Sequence, residues 1–298
     1  MIYTITTNPA LDYYLKINKL TPGRINRTTD EAYDAAGKGV NVSKFLDKLN
    51  IGSVALGFLG GFTKDYYLDI LSTHKNIQPQ FTTVGQSTRI NVKIQGEEET
   101  SLNTRGPVVN EIEYAKFANR LSQIYDNDYV VLSGNVQSTL VDRISDSIRD
   151  LSKEGVKVVL DTDNKVVDKL VDDKLFMIKM TYTDIGTEEA DIIAKGKELM
   201  AKGVKYFLYS APNTPSYLFE DGYYLKCNSK HKETYFLTGT SDGMVAGFLW
   251  AKLKGANSLE AFTYANAVST TTSILDETAD LNEINEAYNS LEIERVEY

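Results

Sequence analysis

The sequence predicts an α/β fold: a largely parallel sheet covered by helices on both faces, with a smaller group of strands standing off it. Two patterns in the 298 residues carry that expectation. Beyond about residue 110, short apolar runs alternate with longer stretches in which apolar residues recur at helical spacing. Before it, several short segments alternate apolar and polar residues between turn signals, as strands with one wet face do.

In the first region residues 2–6 alternate as a strand, and Thr7-Asn8-Pro9-Ala10-Leu11-Asp12 breaks it. Tyr13, Leu15 and Ile17 alternate again, Pro22-Gly23 marks a turn, and 24–27 and 30–33 read as further short strands. Ala35-Ala36-Gly37-Lys38-Gly39-Val40-Asn41-Val42 leads into a helix with Val42, Phe45, Leu46 and Leu49 on one face. Residues 53–58 read as a strand, Gly60-Gly61 as a tight turn and 65–71 as a short helix. Along 88–94, Ile90, Val92 and Ile94 fall on one side and Arg89, Asn91 and Lys93 on the other; Glu97-Glu98-Glu99 is a hairpin tip and 100–103 the return.

The second region begins with Asn110 and, three residues on, Glu113, a capping-box signal for a helix lined by Ile112, Ala115, Phe117, Leu121 and Ile124. A buried strand at 129–132 ends in Ser133-Gly134, and Val141, Ile144, Ile148 and Leu151 mark the next helix. Residues 156–160 and 175–180 are strands ending at Asp161 and at Lys179-Met180-Thr181. Thr187 caps a helix that runs to Lys202, 206–209 is a strand ending at Ser210, and 216–220 with 223–227 form a hairpin around Asp221-Gly222. Residues 235–237 read as a strand that Gly239 breaks, and a helix from Asp242 carries Val245, Phe248, Leu249 and Leu253 as far as Gly255. Helices at 258–273 and 282–290 and an edge strand at 292–296 complete the pattern. In such a sheet ligands bind at the carboxyl ends of the strands, so Ser133, Asp161, Lys179, Ser210 and Asp242 are expected along one edge.

Composition narrows the function. With 42% hydrophobic and 24% charged residues, the chain has enough apolar residues for a sizeable core, and an ordered protein is expected. The single cysteine, Cys227, rules out an internal disulfide and a cysteine metal cluster. Two histidines, His74 and His231, make Ser-His-Asp hydrolysis and histidine-rich metal sites poor expectations. A net charge of −9 argues against nucleic acid and anionic membranes as partners. The first residues read straight into a strand and no run of about 18 apolar residues occurs, so a cytoplasmic protein is expected.

The stretch Gly239-Thr240-Ser241-Asp242-Gly243-Met244-Val245-Ala246-Gly247-Phe248 places Asp242 in the first turn of a helix. Unpaired backbone amides there favour negative charge, that of a phosphate over 239–241 or that of Asp242 itself. Two readings stand. Asp242 is a helix cap, or it is a base that takes a proton from an attacking hydroxyl while the turn holds charge on a transferring phosphoryl group. Gly37-Lys38-Gly39 allows a similar pair, a solvated lysine or an anion site with a point charge. The polar side of 88–94 either faces solvent or grips a phosphate through Arg89 and Lys93 flanking Asn91.

These residues resemble the ribokinase (PfkB) family of carbohydrate kinases, whose motif Gly-Ala-Gly-Asp-Ser-Met-Val-Ala-Gly-Phe differs from 239–248 only at Thr240, Ser241 and Gly243. Thr7-Asn8-Pro9-Ala10-Leu11-Asp12, Pro22-Gly23 with Asn26-Arg27, Gly37-Lys38-Gly39 with Asn41-Val42, Gly60-Gly61 and 88–94 are similar, in order, to its 1-phosphofructokinase and tagatose-6-phosphate kinase branch. The resemblance implies one domain over 1–298, a ribokinase-like three-layer α/β/α sandwich with a mostly parallel central sheet and a small β lid from about 11–34 and 88–104. It implies Asp242 as catalytic base, and Asp12, Gly37, Lys38, Asn41, Arg89, Asn91 and Lys93 as the sugar-phosphate site. Lys179, Ser210, Gly239, Thr240, Ser241 and Asn266 would bind the nucleotide, and Asp184 would hold Mg²⁺ through water. The implied ligands are ATP, Mg²⁺ and a phosphorylated ketohexose, fructose 1-phosphate ahead of tagatose 6-phosphate, with a homodimer formed through the lid.

The nucleotide half departs further from the family. Lys179-Met180-Thr181-Tyr182-Thr183-Asp184 stands for Lys-Pro-Asn-x-x-Glu, and Ser210-Ala211-Pro212-Asn213-Thr214-Pro215 for Ser-Leu-Gly-x-x-Gly. A sugar-phosphate-binding protein with weakened phosphoryl transfer is the alternative that this drift allows. Ser241 occupies a family glycine position, where a positive φ would strain it by about 1–2 kcal/mol.

Overall fold

A computed structural model describes residues 1–212, 214–228, 239–272 and 279–298. The first part of the chain contains β1 (Ile2–Thr6), β2 (Ala10–Lys16), β3 (Asp30–Ala36), α1 (Lys38–Lys48), β4 (Ser53–Gly60), α2 (Gly61–Leu71), β5 (Ile77–Pro79), β6 (Thr82–Val84), β7 (Arg89–Gln95) and β8 (Glu99–Leu102). Strand and helix then alternate: α3 (Glu111–Leu121), β9 (Tyr129–Gly134), α4 (Val141–Lys153), β10 (Lys157–Thr162), α5 (Asn164–Leu170), β11 (Met177–Thr181), α6 (Tyr182–Ile185), α7 (Glu189–Ala201) and β12 (Tyr206–Ala211). The remainder holds β13 (Thr214–Glu220), β14 (Tyr223–Cys227), α8 (Thr240–Leu253), α9 (Ser258–Thr271), α10 (Leu281–Ser290) and β15 (Ile293–Glu297).

The large sheet runs β15-β14-β13-β12-β11-β10-β9-β1-β4-β5, with β6 also paired to β4. From β12 across to β5 and β6 all pairings are parallel, and β13, β14 and β15 add an antiparallel margin. Alternation along each central strand sends apolar residues to both faces, as a sheet covered on both sides requires. Val130, Leu132, Val158, Leu160 and Ile178 join one buried cluster with Phe117 of α3, Ile144 and Ile148 of α4 and Leu199 of α7. Tyr129, Val131, Val159 and Met177 face the other way, onto Phe45 and Leu46 of α1, Phe248 of α8, Phe262 of α9 and Ile284 of α10. The result is the mostly parallel α/β/α sandwich that the periodicity predicts.

The short early strands form a second, four-stranded sheet in the order β3-β2-β7-β8. Asp12 lies opposite Asp34 on β3 and Asn91 on β7, and Lys93 lies opposite Tyr14, so the polar side of 88–94 and the odd acid of β2 share one face. On the other face the rings of Tyr13 and Tyr33 stack with centroids 4.2 Å apart.

Several boundaries differ from the sequence expectation, each for a local reason. β2 starts at Ala10, so the break in the early pattern is confined to residues 7–9 and Asp12 lies within a strand. Residues 24–27 form no strand; Asn26 instead closes a turn, accepting from the Thr21 N–H and donating to the carbonyls of Thr21 and Arg24. Gly60-Gly61 leads directly into α2 without a separate turn. On α3 Asn110 and Glu113 form the expected capping box, but Ile112 is 71% exposed and Ala115 is exposed, and Tyr114 takes the inward position beside Phe117. At about 100° per residue Tyr114 shares the side of Phe117 and Leu121, and Ile112 falls on the opposite one. Glu188, rather than Thr187, is the N-cap of α7, and α5 has no counterpart in the expected pattern because seven residues are too short to show a period. The strand expected at 235–237 and the last residue of the helix expected at 258–273 lie outside the described residues.

The start of α1 is packed hard against the end of β1. A Cβ on Gly39 would stand 2.6 Å from Thr6 Oγ1 and 2.9 Å from the Ile5 carbonyl oxygen, and Thr6 Oγ1 accepts the Val40 N–H at 3.1 Å. Backbone cannot yield as a side chain can, so Gly39→Ala should lower the unfolding free energy by about 1–3 kcal/mol. A urea titration with an unchanged midpoint would show that α1 is not seated in this way.

Candidate active site

The carboxyl ends of β9, β10, β11 and β12 and the amino ends of α1 and α8 converge on one edge of the large sheet. α8 begins at Gly239, whose φ of 90° turns the chain into the helix; Thr240 and Ser241 are its first two residues and Asp242 its third. Among the described residues only Asn50, Asn127 and Lys174 combine a side chain with positive φ, so Ser241 is helical and carries no left-handed strain. The first-turn amides of a helix have no carbonyl partner within it, and they favour an anion at this end.

Asp242 is 4% exposed, and its Oδ2 accepts a hydrogen bond of 2.9 Å from Asn41 Nδ2. That bond spans two helices that approach closely at the neighbouring residue, where a Cβ on Gly243 would stand 3.0 Å from the Phe45 ring. Thus the helical face that carries Phe45 inward also brings Asn41 to Asp242.

Beside this pair lies a charge cluster. Asp161, at the end of β10, is buried, and its Oδ1 pairs with Lys179 Nζ at 3.3 Å and with Lys38 Nζ at 3.4 Å. Lys179 is fully buried and also donates to Ser241 Oγ, whereas Lys38 is half exposed. Burial raises the Asp242 carboxyl most, Asp161's charge raises it further, and Lys179, Lys38 and Asn41 pull it back, leaving it at about 6. Burial also opposes the charge of Asp161, but Lys179 and Lys38 together outweigh it and hold that carboxyl below its ordinary value. Lys38 is raised chiefly by Asp161, with smaller contributions from Asp242 and Asp184.

Gly37 is the N-cap residue of α1, immediately after β3, so the second sheet runs directly into Lys38 and Asn41. On that sheet Asn91 Nδ2 donates to Asp12 Oδ1 at 2.8 Å, and both are 6% exposed, so this pair is shut away from solvent while Arg89 and Lys93 beside it are only partly buried. Burial raises Asp12, Asn91 and Lys93 lower it, and Asp34 raises it again. Arg89 donates to the carbonyls of Asn8 at 3.0 Å and Thr104 at 3.4 Å, and its Nε is buried without a partner. Lys93 reaches Ser101 Oγ at 3.2 Å and Asn103 Oδ1 at 3.3 Å.

The remaining expected residues are placed less uniformly. Ser210 is the penultimate residue of β12, opposite Thr181 and partly buried. Asp184 caps its own turn, its Oδ2 accepting from the Thr181 N–H at 2.7 Å and from Thr181 Oγ1 at 3.0 Å. Asn266 is turned into the interior: it accepts from Ser216 Oγ at 2.6 Å and donates to the Phe262 carbonyl at 2.9 Å, so it stands apart from the charge cluster. Sequence reasoning placed Asp161 at a strand end without a role, and it missed the buried ion pair between Lys44 of α1 and Asp34 of β3. A lysine on the same helix as Val42 and Phe45 reads as surface unless its partner on another strand is known.

A family model described as pfkB family carbohydrate kinase matches residues 3–276. The chain is similar to the 1-phosphofructokinase of Bacillus subtilis, 31% identical over 270 residues that cover 88% of this chain and 89% of the relative. It is similar also to the D-tagatose-1-phosphate kinase of Bacillus licheniformis, 28% identical over 302 residues, covering 98% and 99%. Among solved structures, a possible 1-phosphofructokinase from Thermotoga maritima superposes with a TM-score of 0.86 at 25% identity, covering all of both chains. Phosphofructokinase-2 of Escherichia coli reaches a TM-score of 0.88 at 17% identity over 97% of this chain and 98% of its own, a likeness of fold. Among the described residues no helix is long and apolar enough to cross a membrane.

Because the Asp242 carboxyl is raised from 3.8 to about 6, the folded chain holds this proton more tightly than the unfolded one. The stability it contributes is complete below the unfolded value and is lost as pH rises through the folded one. Asp242→Asn should therefore raise the unfolding free energy by about 3 kcal/mol at pH 8 and by about half as much at pH 5. Equal effects at both pH values in thermal melts would contradict the buried charge.

Proposed function

Because the chain belongs to the pfkB family of carbohydrate kinases, we propose that it transfers the γ-phosphoryl group of ATP to the 6-hydroxyl of fructose 1-phosphate, giving ADP and fructose 1,6-bisphosphate. The observation that carries this reading is the buried carboxylate of Asp242, oriented by Asn41 and set beside Lys38 and Lys179 at the head of α8. A base needs a proton affinity close to the working pH, and a group near 6 is ionised at pH 7 yet still basic enough to accept a proton in the transition state. In this reading Asp242 takes the hydroxyl proton as the sugar oxygen bonds to the γ-phosphorus and the bond to ADP breaks. Lys38, Lys179 and the amides of 239–241 hold the charge carried by the transferring group. Ser210 and Thr240 lie beside the nucleotide phosphates.

The second sheet and the relatives both support this choice of acceptor. Asp12 and Asn91 offer a buried acceptor and donor for sugar hydroxyls, with Gly37 and Asn41 below them, and Arg89 and Lys93 supply cations for the phosphate. The relatives from Bacillus subtilis and Bacillus licheniformis are named as kinases of ketohexose 1-phosphates, those of fructose and of D-tagatose. The second sheet, with its connections from about 11–34 and 88–104, serves as a lid whose closure keeps water from taking the phosphoryl group. A homodimer through the lid is supported by the exposure beside it: Tyr33 of β3 and Tyr66 of α2 meet edge-on and are 41% and 47% exposed.

Mg²⁺ would be held by Asp184 and the nucleotide phosphates. With Oδ2 committed to its cap, Asp184 fits an ion that keeps most of its water, and no group of three or more His, Cys, Asp or Glu residues forms a dedicated cage among the described residues. When bound, the ion neutralises phosphate charge.

A coupled ADP-release assay over fructose 1-phosphate, fructose 6-phosphate and tagatose 6-phosphate should give the highest kcat/KM with fructose 1-phosphate. Binding of that sugar by calorimetry with no ADP release would instead make the chain a binding protein. Asp242→Asn should cut kcat by about 10²–10⁴ while leaving sugar affinity nearly unchanged. The kcat/KM profile of the unaltered chain should fall below about pH 6, where Asp242 holds its own proton. A flat profile from pH 5 to 8 would remove Asp242 from the base role.

A further inference from the structure

We propose that Asp161 is a positioning residue for the transfer, clamping Lys38 and Lys179 at the head of α8 and setting a second negative charge beside Asp242. The inference rests on the reading of Asp242 as the base. Asp161 touches neither of the proposed reacting groups; it acts through its neighbours.

A carboxylate 3% exposed at the end of β10 places one oxygen against two ammonium groups from different elements, 3.3 Å to Lys179 of β11 and 3.4 Å to Lys38 of α1. Its other oxygen is buried with no hydrogen-bond partner. A neutral side chain of the same volume would leave fully buried Lys179 without its counter-charge and would no longer hold either lysine. Each ammonium has three donors. Lys179 uses donors on Asp161 and Ser241, and Lys38 uses one on Asp161. With that counter-charge gone, half-exposed Lys38 is free to swing into water, and Lys179, sealed in the interior, is left to the charge of Asp242, which it already feels. A direct ion pair with Lys179 would quench the base.

The charged groups facing Asp242 are Asp161 from β10, Lys179 from β11 and Lys38 from α1, with Asn41 donating from the same helix as Lys38. Asp161 is kept ionised by the lysines, so its charge persists across the working pH range while Asp242 titrates. The two carboxylates are thereby driven apart into one permanent anion and one proton acceptor, a division seen wherever two neighbouring acids take different roles.

The test is a carboxylate ¹³C NMR titration of the full chain labelled at aspartate, with Asp242→Asn assigning the resonance. In Asp161→Asn the Asp242 midpoint should fall from about 6 by about one pH unit or more, a tenfold loss of proton affinity. In Lys38→Met it should move the opposite way. An unmoved midpoint in folded Asp161→Asn, or a rise, overturns the proposal. Should Asp161→Asn fail to fold, Asp161→Glu decides: retaining the charge keeps the midpoint near 6, and a drop of a full unit overturns the assignment. In turnover, the acid limb of kcat/KM for Asp161→Asn should shift down with the NMR midpoint, while a merely structural role would scale activity equally at every pH. The NMR result stands without turnover, so an inactive unaltered chain would sink the kinase reading and leave the electrostatic one to its own outcome.

Discussion

The structure depends on four charges gathered at one sheet edge: Asp161, Asp242 and Lys179, held out of water, and half-exposed Lys38 beside them. None of the three buried charges would be stable there singly, because an isolated buried ion is strongly disfavoured. Together they form a near-neutral group whose members come from β10, α8, α1 and β11, so the group exists only when the sheet has formed and both helices are seated. The same mutual dependence leaves one member, Asp242, with a proton affinity shifted into the range where it can exchange a proton near neutral pH.

The fold around this group is arranged to fix its members rather than to shield them. β10 and β11 run parallel and deliver Asp161 and Lys179 from adjacent strand ends. α1 is pinned to the end of β1 through Gly39 and to α8 through Phe45 against Gly243, which sets Lys38 and Asn41 at fixed heights above the edge. The second sheet is joined to α1 through Gly37 and tied to it again by the buried pair of Lys44 with Asp34. A movement of that sheet is therefore felt at Lys38 and Asn41, the residues that face Asp242.

Much of this was legible in the sequence because the signals are local. Gly239 before an apolar helix, the alternation of 88–94 and the capping box at Asn110 and Glu113 each depend on a few neighbouring residues, and each appears in the structure as read. What escaped was long-range. Lys44 lies two residues from Val42 on a helix, and only the return of β3 alongside β2 places Asp34 above it. Asp161 looks like any polar residue at the end of a strand until two lysines, 123 and 18 positions away, are brought to the same oxygen. Asn266, which the family resemblance implies for the nucleotide, hydrogen-bonds with Ser216 and the Phe262 carbonyl inside the molecule, and the contact to Ser216, 50 positions away, has no local signal either. Local pattern announces which residue types are present; which of them share a cavity is decided by topology.

The central claim is that Asp242 faces the hydroxyl that receives the phosphoryl group. The most direct measurement is a crystal structure of the chain with Mg²⁺, a non-hydrolysable ATP analogue and fructose 1-phosphate. The account predicts the sugar's 6-hydroxyl within about 3 Å of an Asp242 oxygen, with the terminal phosphate of the analogue lying over 239–241. A sugar bound with that hydroxyl remote from Asp242, or a nucleotide phosphate held away from the head of α8, would contradict it.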